Sequence, residues 1–290
     1  MRLSKLASIR PGLCIVLLFV WAASASRASA QTLAGWVNPS IGNWFVADNW
    51  NPNIPNSGTI AGINNGGLVL LNSPGAAAHQ LYLGAYAGDV GFMDVSGPGD
   101  LTLGARLYVY NGTFQVVTGG RVVVLDNPII GRATEIGNSP GTGTVVVSGA
   151  NSYLTSGTMH LGTYGRGVLR IENGGRIDTG TAFVGNASAT ITGPNTLWSV
   201  NVLNSGNGPS TSAPPVTISN RATVSAGYTT IGGNSTLTVT GAGSSLNNNT
   251  ASFDTMFIGY GGNGTLSVQN GGLVTGGNAD WISVLGVRCW

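Results

Sequence analysis

Residues 141–175 read GTGTVVVSGANSYLTSGTMHLGTYGRGVLRIENGG. Two short runs of apolar, mostly branched residues, 145–147 and 168–171, are separated there by segments rich in glycine, asparagine and serine. Such runs are typical of β-strands, in which alternate side chains point inward. Glycine and asparagine supply the positive φ angles that tight corners require. The stretch therefore predicts short strands joined by sharp corners, with no helical periodicity.

The same pattern recurs along the chain in three markers. A β run that ends in a glycine turn recurs near residues 94–97, 146–150, 191–194 and 239–242. A turn followed by a β run lies about midway between these copies, at 118–122, 173–177, 219–224 and 270–274. An aliphatic residue followed by glycine recurs at 83–84, 136–137, 161–162, 184–185, 231–232 and 258–259. These intervals indicate an elementary period of about 24 residues and a double unit near 48.

A period in the low twenties, made of short strands and glycine corners, predicts one rung of a parallel β-helix. Inward residues of one rung then pack on those of the next, so each rung completes its core only with its neighbours. We therefore expect an all-β fold, a right-handed parallel β-helix (β-solenoid) of about nine rungs over residues 59–280. Val147 and Leu169 should face inward, and residues 202–215 should form a loop at one corner. Leucine-rich repeats are excluded because their leucine offsets are missing.

Three of the seven tryptophans, Trp36, Trp44 and Trp50, precede the repeats within fifteen residues. An open first rung would expose strand edges and core, so residues 31–58 predict a Trp-rich N-terminal cap. The alternative for this segment is a tryptophan platform that stacks on sugar rings.

Residues 1–30 have the pattern of a secretory signal peptide. Arg2, Lys5 and Arg10 form a basic start, residues 13–23 are apolar, and residues 28–30 are small, which predicts cleavage before Gln31. The apolar run is too short to span a bilayer as a helix. We therefore expect export, with no transmembrane segment in the mature chain.

Without this leader, eight of the twelve basic residues remain against ten acidic ones. A weakly acidic chain with scattered arginines lacks the basic footprint of a nucleic-acid-binding protein, so we expect no nucleic-acid partner. Of the two cysteines only Cys289 would remain, so an internal disulfide is excluded. Burial and hydrogen bonding must therefore stabilise the fold.

Catalytic and metal sites need clustered side chains, and the acidic residues are dispersed. They are Asp48, Asp89, Asp94, Asp100, Asp126, Glu135, Glu172, Asp178, Asp254 and Asp280. We interpret the densest group, Asp89 with Asp94 and Asp100, as solvated turn carboxylates. His79 and His160 should lie more than three rungs apart, too far to share a metal. We predict no catalytic, cofactor-binding or metal-binding residue, no cofactor, and no enzymatic activity.

Arg166, Arg170 and Arg176 lie within eleven residues of one another. They are interpreted as ordinary solvent-facing positions. A small basic strip on one rung, suited to an acidic polysaccharide, is the alternative.

The block from Gly141 to Gly175 closely resembles the repeat of autotransporter passengers and of PEP-CTERM-associated secreted proteins, and its order returns at 236–241, 258–259 and 264–272. The resemblance covers most of residues 36–280. It implies a β-helix that is secreted from, or displayed on, a Gram-negative bacterium, often carried over the outer membrane by a C-terminal β-barrel. A non-enzymatic role in adhesion, matrix or structure is implied, with extracellular polysaccharide or a host or matrix surface as partner. The alternative is a carbohydrate-active β-helix enzyme, a polysaccharide lyase or hydrolase.

Residues 281–290 depart from that family pattern. They contain neither barrel strands nor a sorting helix flanked by basic residues, and residues 287–290 fit no rung. We interpret them as an atypical tail, as expected of a truncated passenger that lacks its C-terminal β-barrel or sorting signal.

Overall fold

The computed structural model describes residues 31–125, 134–137, 141–163, 165–206, 215–249, 256–276 and 282–284. The architecture below belongs to one compact unit, Thr32–Trp290. The predicted leader, 1–30, and residues 287–290 lie outside the described residues.

Regular structure in the described residues is β-strand, apart from one turn of 3-10 helix at Ala47–Asn49. The strands are β1 (Thr32–Trp36), β2 (Ile41–Asn43), β3 (Trp50–Asn51), β4 (Thr59–Ile63), β5 (Asn65–Leu71), β6 (Ala76–Leu83), β7 (Val90–Ser96), β8 (Asp100–Val109), β9 (Gly112–Val117), β10 (Arg121–Val124), β11 (Thr134–Ile136), β12 (Thr142–Ser148), β13 (Tyr153–Leu161), β14 (Arg166–Glu172), β15 (Arg176–Val184), β16 (Ala187–Thr192), β17 (Leu197–Ser205), β18 (Val216–Ser219), β19 (Thr223–Ile231), β20 (Thr236–Thr240), β21 (Ser245–Asn248), β22 (Met256–Ile258), β23 (Thr265–Gln269), β24 (Leu273–Thr275) and β25 (Ile282–Val284).

These strands form two sheets between which the chain alternates. One sheet has the order β2-β5-β7-β9-β12-β14-β16-β18-β20-β23, and the other contains the remaining strands. Each strand pairs in parallel with its counterparts one circuit earlier and later, whereas β1 and β3 pair antiparallel. From β5 to β25 the described chain makes nine such circuits, or rungs. The predicted parallel β-helix of about nine rungs is confirmed.

The larger sheet bends, so the β-helix has three faces. In β13, Leu154 and Ser156 point inward, and then Met159 and Leu161 do, so the alternation slips by one residue after Ser156. The pairing of β13 with β15 skips Gly157 at the same point. We call the smaller sheet face 1, the part of the larger sheet before this bend face 2, and the part after it face 3.

Inward side chains form one continuous core, and Val147 and Leu169 are both 0% exposed, as predicted. The aliphatic residue of the aliphatic-glycine marker ends the face 3 strand of its rung. In register, these strands end with Leu83, Val109, Ile136, Leu161, Val184, Ser205, Ile231 and Ile258. The glycine that follows begins the next corner. The marker is therefore an inward ladder, and Val109 and Ser205 belong to it although the sequence pattern missed them.

The other two glycine markers occupy the same corner, between faces 1 and 2, in alternate rungs. The Ser-Gly marker follows β12, and the Asn-Gly-Gly marker follows β14 in the next rung. Asn173 and Gly174 have φ angles of 55° and 85°, the left-handed region that favours asparagine and glycine. The double unit near 48 residues is therefore two rungs with different corners.

A buried side-chain hydrogen bond ties each pair of alternating corners together. The backbone N–H of a left-handed residue donates to a hydroxyl three residues after the Ser/Thr-Gly glycine of the next rung. The donor and acceptor pairs are Gly119 with Ser152 at 3.0 Å, Gly174 with Thr196 at 2.9 Å and Arg221 with Ser244 at 3.0 Å. In an earlier rung the carboxylate of Asp100 accepts from the Gly75 N–H at 2.6 Å.

Thr196→Val tests this link because valine keeps the side-chain shape but removes the acceptor. The Gly174 N–H would lose its partner, and we expect the free energy of unfolding to fall by about 1–3 kcal/mol. Urea denaturation measures the change. Thr190→Val, on the outer surface of the same rung, should shift it by less than about 0.5 kcal/mol; equal losses in the two variants would contradict the role of the bond.

Parallel pairing extends beyond residues 59–280 at both ends. Strands β1 and β2 pair with β4 and β5, inside the segment expected to be cap only. Strand β25 pairs with β22, so residues 282–284 continue the last rung rather than belonging to the tail. The predicted loop at 202–215 is wrong at its start, because residues 202–205 complete β17 and pair with β19.

The Trp-rich N-terminal cap is confirmed. Trp36, Trp44 and Trp50 are 4%, 0% and 4% exposed and pack edge to face, with ring centroids of neighbouring pairs 5.0 and 4.8 Å apart. The Trp50 indole N–H donates to the Trp44 carbonyl at 2.8 Å. Because these rings are buried against the first rungs, they do not form the exposed platform that sugar stacking requires.

Candidate functional site on the outer faces

The described carboxylates are dispersed, and several have structural partners. Glu172 pairs with Arg170 and Asp178 with Arg176, each at 2.8 Å, while Asp100 accepts the corner bond already described. Within the described ranges, no three His, Cys, Asp or Glu side chains approach closely enough to hold a metal. Asp126, Asp254, Asp280 and the side chain of Glu135 lie outside the described residues.

The three clustered arginines lie on one rung but on two faces. Arg166 and Arg170 project from β14 on face 1, and Arg176 begins β15 on face 2. Arg170 and Arg176 are already ion-paired, and Arg176 also lies 5.8 Å from the centre of the Tyr153 ring. This arrangement favours ordinary solvent-facing positions over a basic strip.

His79 and His160 lie on β6 and β13, three rungs apart, in agreement with the expected separation. The imidazole of His160 stacks on the Phe183 ring with centroids 4.8 Å apart and planes 23° apart. The structure therefore places His160 in an aromatic contact.

Asp94 is the perturbed carboxyl of the Asp89, Asp94 and Asp100 group. It points outward from β7 and is half-buried, and among the described residues its Oδ1 has no hydrogen-bond partner. Burial raises the pKa of Asp94 above its usual value. The expected solvated turn carboxylate is thus, at Asp94, a partly desolvated strand carboxylate.

Asp94→Asn should stabilise the protein at neutral pH. A carboxyl whose pKa is raised by folding destabilises the folded chain when ionised, and this penalty disappears as pH falls below that pKa. The stability gain of the variant should therefore shrink as pH is lowered through the raised pKa of Asp94. Thermal melting over a pH series measures it, with the exposed Asp48→Asn as control; a gain independent of pH would contradict the assignment.

The outer surface of face 1 becomes a hydroxyl array toward its C-terminal end. Four successive strands there, β16, β18, β20 and β23, carry aligned outward threonines and serines. They are Ser188, Thr190, Thr192, Thr217, Ser219, Thr236, Thr238, Thr240, Thr265 and Ser267.

The outer surface of face 3 carries an aromatic column, one residue per rung. Its described members, in register, are Tyr82, Tyr108, His160, Phe183, Asn204, Thr230 and Phe257. Tyr82 stacks on Tyr108 with ring centroids 4.5 Å apart, as His160 does on Phe183. Each member directly precedes an inward residue of the aliphatic ladder, so the position before each aliphatic-glycine marker was the sequence signal for this column.

The N-terminal end of the aromatic column is a closed tyrosine cluster. Tyr110 packs beside the stacked Tyr82 and Tyr108, and Arg106 donates to the Tyr108 hydroxyl. The Tyr82 hydroxyl donates to Gln80 at 2.8 Å, and burial together with the neighbouring tyrosines raises the pKa of Tyr82. These mutual contacts satisfy the cluster internally.

The column is interrupted after Phe183. Asn204 and Thr230 occupy the next two rungs, and the next aromatic member is Phe257, whose ring lies 5.4 Å from that of Tyr228. We call the interruption the notch and define it by Phe183, Val202, Asn204, Tyr228, Thr230 and Phe257.

Comparison with known proteins gives little further guidance. No family profile matches the chain, and no solved structure matches it. The chain is similar to the "Uncharacterized protein YuaQ" of Escherichia coli (strain K12), with 27% identity over 155 residues. The match covers 47% of this chain and 11% of that protein, so the chain spans only a small part of the curated relative it matches.

Among the described residues, no helix is long and apolar enough to cross a membrane.

Proposed function

We propose that the protein is a non-enzymatic, secreted or surface-exposed β-helix of the autotransporter-passenger type, with an adhesive, matrix or structural role. The observation that supports this most directly is the aromatic column on face 3. It arrays ring side chains along the outside of nine stacked rungs, where a long partner can contact several of them.

The framework suits such a role because it holds these side chains in place before a partner arrives. Each outward residue is fixed by parallel pairing on both sides and by an inward neighbour in the core. A surface ordered in advance loses little conformational entropy on binding. Repeated weak contacts along one rod can then add to a firm attachment.

Retention of the whole chain on insoluble polysaccharide matrices tests this proposal. The native chain should be retained at physiological salt, whereas Val147→Asp, which disrupts the rungs, should wash through. Equal retention of both would show that binding does not need the β-helix and would overturn the proposal.

The same incubations test the non-enzymatic part of the proposal. Soluble polysaccharides treated with the chain should show no increase in reducing ends and no absorbance from unsaturated sugars. Turnover of either kind would overturn it in favour of a polysaccharide hydrolase or lyase.

A further inference from the structure

The notch is a gap in an otherwise stacked column. His160 covers one face of the Phe183 ring, and it comes from the preceding rung. The opposite face is turned toward the following rung, whose column residue is the half-buried Asn204. An amide in place of a ring leaves that second aromatic face without a stacking partner from the column.

The gap has room for one ring. Phe183 and Phe257 are separated by three rung steps, which at the usual strand spacing is about 14 Å along the axis. Asn204 and Thr230 lie between them, and Val202 and Tyr228 occupy the adjacent outward column. Two aromatic side chains thus bound a floor that is polar at its centre.

The residues of the notch indicate the chemistry of its occupant. None of the six carries a charge, so they favour a neutral partner over a polyanion. An aromatic face carries partial negative charge and attracts the C–H groups of a saturated ring. The Asn204 amide supplies both a donor and an acceptor for hydroxyl groups around the rim of such a ring. An apolar wall with a few placed polar groups is the usual composition of a small-ligand site.

We propose that the notch binds one pyranose unit of a neutral polysaccharide. The sugar ring stacks on the free face of Phe183, taking the place of the missing column member, and its hydroxyls hydrogen-bond to Asn204. This inference rests on the proposed role in adhesion or matrix binding and names the ligand class of that role.

Asn204→Phe is the sharpest test because it completes the column instead of removing a contact. The variant should melt at or above the temperature of the native chain, since the new ring stacks on Phe183. Its affinity for neutral polysaccharide should nevertheless fall at least tenfold, because the new ring fills the site. Phe183→Ala should lose affinity to the same extent by removing the stacking surface. Thr190→Phe, which adds a ring to face 1, should bind as the native chain does.

Electrophoresis through gels that contain hydroxyethyl cellulose, xylan or polygalacturonate gives the readout, with melting curves to show that each variant is folded. Retardation of the native chain in a neutral gel, lost in folded Asn204→Phe, is the expected result. Undiminished binding by folded Asn204→Phe would overturn the notch while leaving matrix binding intact. Retardation only in polygalacturonate would overturn the neutral ligand class, and absence of retention on every matrix would overturn both proposals.

Discussion

Val147→Asp is expected to reduce the free energy of unfolding by about 3–5 kcal/mol, because it leaves a carboxylate uncompensated inside the core. Val147 is fully buried and pairs with Val116 in the preceding rung and Ile171 in the following one. A charge at this point disturbs three rungs at once, since each rung completes its core against its neighbours. Urea denaturation followed by circular dichroism measures the loss.

Thr144→Asp is the matched control for that prediction. Thr144 lies on the same strand but points outward. Its replacement should change the free energy of unfolding by no more than about 0.5 kcal/mol, as for most surface substitutions. Similar losses for the two variants would show that the inward and outward positions of β12 are assigned wrongly.

The sequence predicted the β-helix because its rung is local and repeated. The glycine corners and the inward valines, leucines and isoleucines recur at a near-constant interval, and this recurrence specifies which residues stack. Val147 and Leu169 could therefore be placed in the core from pattern alone.

The start of the predicted loop was wrong because the pattern was read from composition there. Residues 202–205 hold polar Asn204 and Ser205 where other rungs have apolar residues, which made the segment resemble a loop. Backbone pairing with β19 does not depend on those side chains, so the strand continues. Ser205 lies in the aliphatic ladder, buried, with its hydroxyl unpartnered among the described residues.

The aromatic column escaped prediction for a different physical reason. Its members lie 23 to 27 residues apart where they can be compared, for example His160 with Phe183 or Thr230 with Phe257. Recognising them as neighbours requires the exact register of each rung, which insertions at the corners alter. Register comes from the core ladder, so an outward column becomes visible only when the inward one has been aligned.

Trp44→Ala is expected to cost about 3–5 kcal/mol, the usual effect of truncating a fully buried aromatic side chain. Trp44 is 0% exposed, and its ring lies 4.8 Å from that of Trp50. The Trp44 backbone N–H also donates to the Leu70 carbonyl in β5, so the cavity would open beside the first rung. Because the end of a solenoid has a neighbour on one side only, this loss should appear first as fraying of the N-terminal rungs.

Hydrogen exchange followed by mass spectrometry distinguishes this fraying from general destabilisation. Amides of β4 to β7 should lose protection in Trp44→Ala, while those of β14 to β17 should keep most of theirs. Phe45→Ala is the matched control, because Phe45 is the next residue and is 38% exposed; it should leave both regions protected. Uniform loss of protection along the whole β-helix would contradict a capping role for the tryptophan cluster and would assign it to the cooperative core instead.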